Sequence, residues 1–337
     1  MSSKPVRIAS LGIGWWSDVL ADAVQRTGGK LELAACFTRS EDKRAAFAEK
    51  YNCRAAASFE EILADDDIDG IINTTPNHAH LETTAAAARA GKHIFLDKPI
   101  ANRIDEAREI TQICRDAGVV LAVGYQRRRE NHFRWIHERI SNGDFGTTVQ
   151  AEANISRDRL GKFEAGHWRY TAAGMPGGVM LQIGLHYVDV LMMLFGPVKL
   201  VSGMASQLVL PGDNPDVGSL LMRHQSGAIS TLSTSYASAS EYYVMNIYGK
   251  EMSAYYNLFD GLRFLRRGEA RQETVALDKN DTLADELTEW AAAISGNGVP
   301  EVGGEGATES LAVVKAGILS VKQGRHVEVA EILAGDD

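Results

Sequence analysis

The chain of 337 residues holds only three cysteines, Cys36, Cys53 and Cys114, with no CxxC pair and no metal-ligand rhythm. That sets aside a disulfide framework or a zinc site, and a reducing compartment fits. Positive charge is not in excess: the formal net charge is -9 and the pI about 5.5, which argues against nucleic acid or an anionic membrane as the main partner. No apolar run is long enough to span a bilayer, and polar residues 1–4 lead straight into the first apolar run without a secretory pattern. Repeats and low-complexity linkers are missing too. What is present, 45% hydrophobic and 23% charged residues, is the composition of an ordinary soluble protein. The expectation is a cytoplasmic protein of about two domains whose partner is a small molecule.

Apolar runs over 6–11, 31–37, 68–73, 93–97 and 119–123 read as strands, and amphipathic stretches over 42–51, 81–90 and 104–117 as helices, the last two stopped by Gly91 and Gly118. Such alternation predicts a doubly wound parallel sheet. After Val123 the pattern changes. A helix over 133–140 and a strand over 149–156 precede a glycine-rich loop ending at Gly178. Segments 220–223 and 228–235 then flank Gln225, Ser226 and Gly227, and 243–248 and 253–256 flank Gly249 and Lys250. These hairpin signals predict an open, mainly antiparallel sheet. Helices over 283–294 and 309–321 close the chain. The expected division is 1–124 and 125–337, with the last helices able to pack back on the first domain.

The first strand runs into Gly12, Ile13, Gly14, Trp15, Trp16 and Ser17, where a helical pattern begins. Gly12 permits a tight turn, and Gly14 lets the backbone approach a pyrophosphate held at the helix N-terminus. Ser17 replaces the third glycine of the dinucleotide fingerprint. At the end of the second strand, Phe37, Thr38, Arg39 and Ser40 include no acid to clamp a ribose hydroxyl, whereas Arg39, with Thr38, Ser40 and Lys43, suits a 2′-phosphate. NADP(H) is therefore favoured over NAD(H). The alternative is that Arg39 caps a solvated loop and NAD is used without an acidic clamp. Thr75, Pro76 and Asn77 follow a core strand and suit a loop along the nicotinamide half. His78 and His80 lack a third metal ligand and read as capping or polar contacts, His80 toward the cofactor.

Leu181, Leu185, Val188, Met192 and Phe195 repeat at helical spacing, while Gln182, His186 and Asp189 share another face just after Gly177 and Gly178. Polar groups in register on an apolar helix need partners, which points to a site. Lys98 and Pro99 come off the strand over 93–97, at the end of the sheet where ligands bind.

Gly12-x-Gly14, then Thr75-Pro76-Asn77, Lys98-Pro99, and Gly177-Gly178 leading into Gln182-x-Gly184-x-His186 together resemble the Gfo/Idh/MocA oxidoreductases over essentially the whole chain. The resemblance implies a Rossmann domain joined to an α/β domain whose open sheet commonly forms dimers or tetramers. Position by position, Lys98 resembles the lysine of the family's Glu-Lys-Pro motif and His186 its catalytic histidine. Asp97 stands in place of the glutamate. Trp168 and Arg169 resemble a Trp-Arg pair lining the active site, and Gln126, Arg127 and Arg128 fall where polar residues meet nicotinamide and substrate. Gln182 stands where a catalytic carboxylate is common, and an amide cannot titrate.

The expected reaction is hydride transfer between a nicotinamide and a secondary alcohol or ketone of a sugar, polyol or related cyclic compound. His186 is expected as general base and Lys98 as the donor to developing alkoxide, with Gln182 orienting substrate or imidazole. Arg128, Arg157, Arg169 and Asp189 are expected at the substrate. Arg157, Arg159, Lys162 and Arg169 could hold a carboxylate, which makes a carboxylated cyclic dihydrodiol or sugar acid an alternative substrate; they could equally form a solvated loop balanced by Asp158 and Glu164. Two other readings use the same fold: a cofactor-binding regulator without turnover, and a redox-cofactor-dependent glycosidase.

Overall fold

The computed structural model describes residues 4–162, 164 and 166–335; of the polar lead-in, residues 1–3 lie outside them. The chain forms two compact units, Met1–Gln126 with Asp281–Thr308, and Arg127–Asn280 with Glu309–Asp337.

In the first unit β1 (Val6–Leu11), α1 (Trp15–Gln25), β2 (Leu31–Phe37), α2 (Glu41–Tyr51), β3 (Arg54–Ala55), α3 (Phe59–Leu63), β4 (Gly70–Asn73), α4 (His80–Arg89), β5 (His93–Asp97), α5 (Ile104–Asp116) and β6 (Leu121–Gly124) follow one another. The sheet order is β3, β2, β1, β4, β5, β6, and every pairing is parallel. β4 and β6 are buried along their whole length because helices cover both faces of such a sheet. The strand order reverses between β1 and β4, so their C-terminal ends, at Gly12 and Asn73, open the crevice where doubly wound sheets take ligands.

This unit is completed by a distant piece of chain. The helix Thr282–Ile294 puts Leu287, Trp290 and Ala291 into the same core as Ile8, Leu20, Ile72 and Phe95. The Trp290 and Phe95 rings meet edge to face at 5.8 Å. Gly70 keeps the strand small enough for that indole, since a Cβ there would lie 3.0 Å from it. The Tyr125 amide donates to Glu286 Oε1 at 2.6 Å and the Val123 amide to the Val302 carbonyl at 3.0 Å. Residues 281–308 thus return to the unit that began the chain, a packing back that the expected division at 124/125 left open for the last helices.

The second unit contains α6 (Asn131–Ser141), β7 (Thr148–Asp158), α7 (Leu185–Phe195), β8 (Val198–Ser206), β9 (Val217–His224), β10 (Ile229–Ser235), β11 (Ala237–Gly249), β12 (Met252–Asn257), β13 (Gly261–Arg266), β14 (Glu273–Thr274) and β15 (Val327–Glu328). Its nine strands run β14, β13, β12, β11, β7, β10, β9, β8, β15. All neighbours are antiparallel except β7 and β10, which are parallel in register from Gln150 with Ile229 to Ser156 with Ser235. β9 alternates, with Leu220, Met222 and His224 inward and Leu221 and Arg223 outward. Helix Gly304–Gln323 lies close on β8: a Cβ on Gly203 would be 2.7 Å from the Gly317 carbonyl oxygen, and the Gly203 amide donates to Ser320 Oγ at 2.9 Å.

Candidate active site

The nucleotide end of the first unit is built by the turn from β1 into α1. Gly12 has φ +84°, and a Cβ there would lie 2.6 Å from the Thr75 amide nitrogen, so only glycine lets this turn press against the loop after β4. Thr74 locks the two loops, its amide donating to the Leu11 carbonyl at 2.9 Å and its hydroxyl to that of Gly12. Gly14 caps α1 in an extended conformation, and nothing lies within 4 Å of where its Cβ would be. The open space at that helix end is where a pyrophosphate fits. Ser17 does more than replace a glycine. Its hydroxyl oxygen accepts from the Gly14 amide at 2.6 Å and lies 2.7 Å from the Gly14 carbonyl, fixing the turn from within.

Trp15 is half exposed and meets Trp16 edge to face at 5.3 Å. Trp16, expected at the cofactor, instead packs against the core around Leu20 and Trp290. Ile13, Gly14, Trp15, Lys43, Phe47 and Lys50 border a cavity of about 500 Å³ beside α1 and α2. Ser40 caps α2, its Oγ accepting from the Lys43 amide at 3.4 Å, and the Thr38 carbonyl accepts from Arg44 Nη1 at 2.9 Å. Arg39 is exposed, and its side chain has no hydrogen-bond or ion-pair partner among the described residues. An unneutralised guanidinium beside a dinucleotide turn suits a phosphate.

On the nicotinamide side, Asn73 Oδ1 accepts from both the amide and the hydroxyl of Thr75, at 3.1 and 2.8 Å, and Asn77 Nδ2 donates to Asn102 Oδ1 at 3.0 Å. Pro76 leads into the short helical turn Asn77–Ala79. His80 is buried rather than turned to a ligand. One ring nitrogen lies 3.0 Å from the Pro99 carbonyl oxygen and the other 2.9 Å from that of Thr75, so the ring ties the loop after β4 to the loop after β5. Burial holds it below the ordinary histidine value, opposed by Asp97. Asp97 ends β5 opposite Gly124 of β6, and partly exposed Lys98 follows it through a cis bond to Pro99. Gln126 begins the turn after β6.

In the second unit Gly177 and Gly178 serve sterics. Both have positive φ, and added Cβ atoms would lie 2.4 Å from Ile318 Cδ1 and 2.3 Å from the Pro215 carbonyl oxygen. The chain then makes one π-helical turn, Met180–Gly184, before α7 begins. Gln182 therefore sits on the π turn, not on the α-helix that carries His186 and Asp189. Such turns insert an extra residue and recur at functional sites. His186 is buried on α7, and Asp189, three residues on, shares its face.

Arg128 and Asp189, both expected toward substrate, meet each other. Arg128 Nε donates to Asp189 Oδ2 at 2.8 Å and Nη2 to Oδ1 at 2.6 Å, with Asp189 nearly inaccessible. Arg127 pairs with Glu130 at 2.7 Å and lies 4.6 Å over the Tyr243 ring. Arg157 approaches the same ring from 5.6 Å. Arg169 lies 4.2 Å over its neighbour Trp168, and its amide donates to His167 Nδ1 at 3.2 Å. Asn214 Nδ2 pins this loop by donating to the Thr171 and Met175 carbonyls at 2.7 and 2.9 Å. Sequence reading missed Tyr236 and Tyr243, which adjoin these arginines, because an aromatic residue beside a strand end reads simply as core. Lys98 belongs to the first unit and His186 to the second, and each is placed within its own unit. Among the described residues no group of three or more His, Cys, Asp or Glu side chains could hold a metal, and no helix is long and apolar enough to cross a membrane.

Residues 6–125 match the oxidoreductase family with NAD-binding Rossmann fold, Gfo/Idh/MocA, and residues 133–255 match a C-terminal domain of the same family. The chain is 30% identical over 326 residues to 1,5-anhydro-D-fructose reductase of Ensifer adhaerens, covering 93% of this chain and 94% of that protein. The crystal structure of a putative NADPH-dependent oxidoreductase from Desulfitobacterium hafniense superposes with a TM-score of 0.93 at 34% identity, over 98% of this chain and 100% of that one. Levoglucosan dehydrogenase in complex with NADH and levoglucosan shares the fold at 20% identity, with a TM-score of 0.90 over 96% of this chain and 99% of its own. A Rossmann unit with a glycine turn at its strand-order reversal, a second unit with an open mixed sheet, and these likenesses lead to one conclusion: the chain belongs to the Gfo/Idh/MocA family of oxidoreductases.

Proposed function

We propose that the protein is an NADP(H)-preferring dehydrogenase or reductase that interconverts a secondary alcohol and a ketone on a sugar-like or polyol-like small molecule. The observation that carries this reading is the Gly12 turn beside Arg39, an exposed cation without a partner among the described residues. The turn and the open space at the helix end by Gly14 hold the pyrophosphate; Arg39 and Lys43 hold the 2′-phosphate. When bound, the nicotinamide supplies the acceptor or donor of hydride. His186 takes the hydroxyl proton in oxidation and returns it in reduction, a role suited to an imidazole near neutral pH. Lys98 donates to the same oxygen and stabilises the alkoxide charge as it develops. Gln182, unable to titrate, orients the substrate or the imidazole. The same reading makes the protein a cytoplasmic homodimer or homotetramer joined through the second unit's sheet, where Leu221 and Ile229 are exposed apolar residues.

The test is a panel of sugars, polyols, sugar acids and dihydrodiols, followed by absorbance of the reduced nicotinamide with NADP and NAD in parallel. Net reduction with NADP preferred is the expected result. Binding of cofactor with no turnover across the panel defeats the reading, as does glycosidic product without net reduction. His186→Ala is expected to lower turnover ~10²–10⁴-fold with cofactor affinity nearly intact; unchanged turnover removes His186 from the mechanism.

A further inference from the structure

Positive charge gathers where β7 ends. Arg157, near the end of β7, lies 3.9 Å from Glu241. Partly buried Arg159 donates its amide to the Tyr236 carbonyl at 2.9 Å, and its side chain makes no hydrogen bond or ion pair among the described residues. Burial, followed by the fields of Arg159 and Arg157 and, less strongly, that of Arg169, holds Lys162 below its ordinary value. Burial and Arg157 act on Arg159 in the same sense. Four cations thus share one neighbourhood. A carboxylate facing them, Glu241, already accepts from the Tyr243 hydroxyl at 2.7 Å. Asp158 accepts from the Leu160 amide at 3.0 Å, and neither it nor Glu164 forms an ion pair among the described residues.

A second observation is independent of charge. Tyr236 is 3% exposed, and its hydroxyl has no hydrogen-bond partner among the described residues. The charged groups that act on it are Arg159, Arg157 and Arg169. A buried hydroxyl left unsatisfied is costly, as is a partly buried cation without a counter-ion. One ligand group answers both: an anionic oxygen that accepts from the phenol and from the guanidinium fork.

We propose that Arg159 and the Tyr236 hydroxyl, in the field of Arg157, Lys162 and Arg169, form a carboxylate subsite, so that the substrate is a polyhydroxy acid rather than a neutral sugar. As a statement about substrate it rests on the oxidoreductase reading above; as a binding site it stands by itself.

The experiment is calorimetric titration of the full-length protein, with and without NADP, using D-glucuronate, D-galactonate and shikimate, each against its own methyl ester, and D-glucose 6-phosphate. The expected result is at least one acid bound about tenfold or more tighter than its ester. Arg159→Gln and Tyr236→Phe should each cut that preference to about threefold or less, with NADP affinity and the melting curve unchanged. Acids bound no better than their esters overturn the proposal, as does a preference surviving both substitutions or stronger binding of the phosphate than of every acid. An acid preference abolished by these substitutions, in a protein that reduces no cofactor with any compound, upholds the subsite and sinks the dehydrogenase reading instead.

Discussion

A methyl group at position 12 would have nowhere to go. Its nearest neighbours are backbone atoms of Thr74 and Thr75, which cannot rotate away, and φ +84° disfavours any side chain. Gly12→Ala should therefore cost roughly 1–3 kcal/mol and weaken NADP binding, with the melting temperature and a fluorescence titration as the two measurements. A variant as stable and as tight as the parent would show that the two loops do not need their close approach. Arg39→Ser should narrow or reverse the NADP preference while leaving NAD affinity nearly unchanged, read from the ratio of kcat/KM values; an unchanged ratio would return Arg39 to the solvated loop. The Arg128 and Asp189 pair makes a different demand. Arg128→Met would take a two-point partner from a buried carboxylate and cost up to about 3–5 kcal/mol, whereas Arg128→Met with Asp189→Leu should recover part of that loss in urea denaturation. Neither role was visible in the chain. Residues 61 positions apart meet only through the fold, and a sequence shows charge types, not which charges face each other.

Among elements, the parallel strands were the most legible. β1, β2 and β5 are short, mainly apolar runs bounded by turn residues and match their expected limits, because a strand buried on both faces, as β1 and β5 largely are, has little other composition open to it. β8 was missed: its burial follows no clean alternation, since helix Gly304–Gln323 covers part of one face. The parallel pairing of β7 with β10 was equally hidden, because hairpin signals report sequential neighbours and not strands that meet across two others. The π turn at Met180–Gly184 escaped for another reason. One inserted residue leaves the spacing of Leu181, Leu185 and Val188 close to helical, so the pattern reads as a single helix. The close seat of the late helix on β8 gives a test at this scale. Gly203→Val should force the Gly317 carbonyl away and lower the melting temperature by several degrees, and a melt equal to the parent's would mean that the helix shifts without cost.

For the whole molecule, a buried and a partly buried histidine couple stability to pH. His93 Nδ1 accepts from the Val120 amide at 2.9 Å, while His224 places Nδ1 2.8 Å from the Gly196 carbonyl and Nε2 2.9 Å from Ser230 Oγ. Burial holds both rings below the ordinary 6.5. In the window below 6.5 the unfolded chain binds more protons than the folded one, so stability is full above that pH and declines as pH falls, by at most about 1.4 kcal/mol per unit for each ring. The urea midpoint should accordingly be lower at pH 5.5 than at pH 7.5; a midpoint that holds steady or rises contradicts the burial of these rings. At this scale the two-unit plan was legible in the switch from alternating strands and helices to hairpins. The return of residues 281–308 was allowed for among the late helices but not assigned to one of them, because an apolar helix face announces that it will be covered without saying by what. That return has a consequence for synthesis. When the ribosome has made residue 126, every strand of the first sheet exists, yet the indole of Trp290 that belongs between Gly70 and Phe95 has not been translated. The unit begun first is finished after the second unit's sheet has emerged from strand β7 to β14, and its nascent core waits on a chaperone or on the rest of the chain.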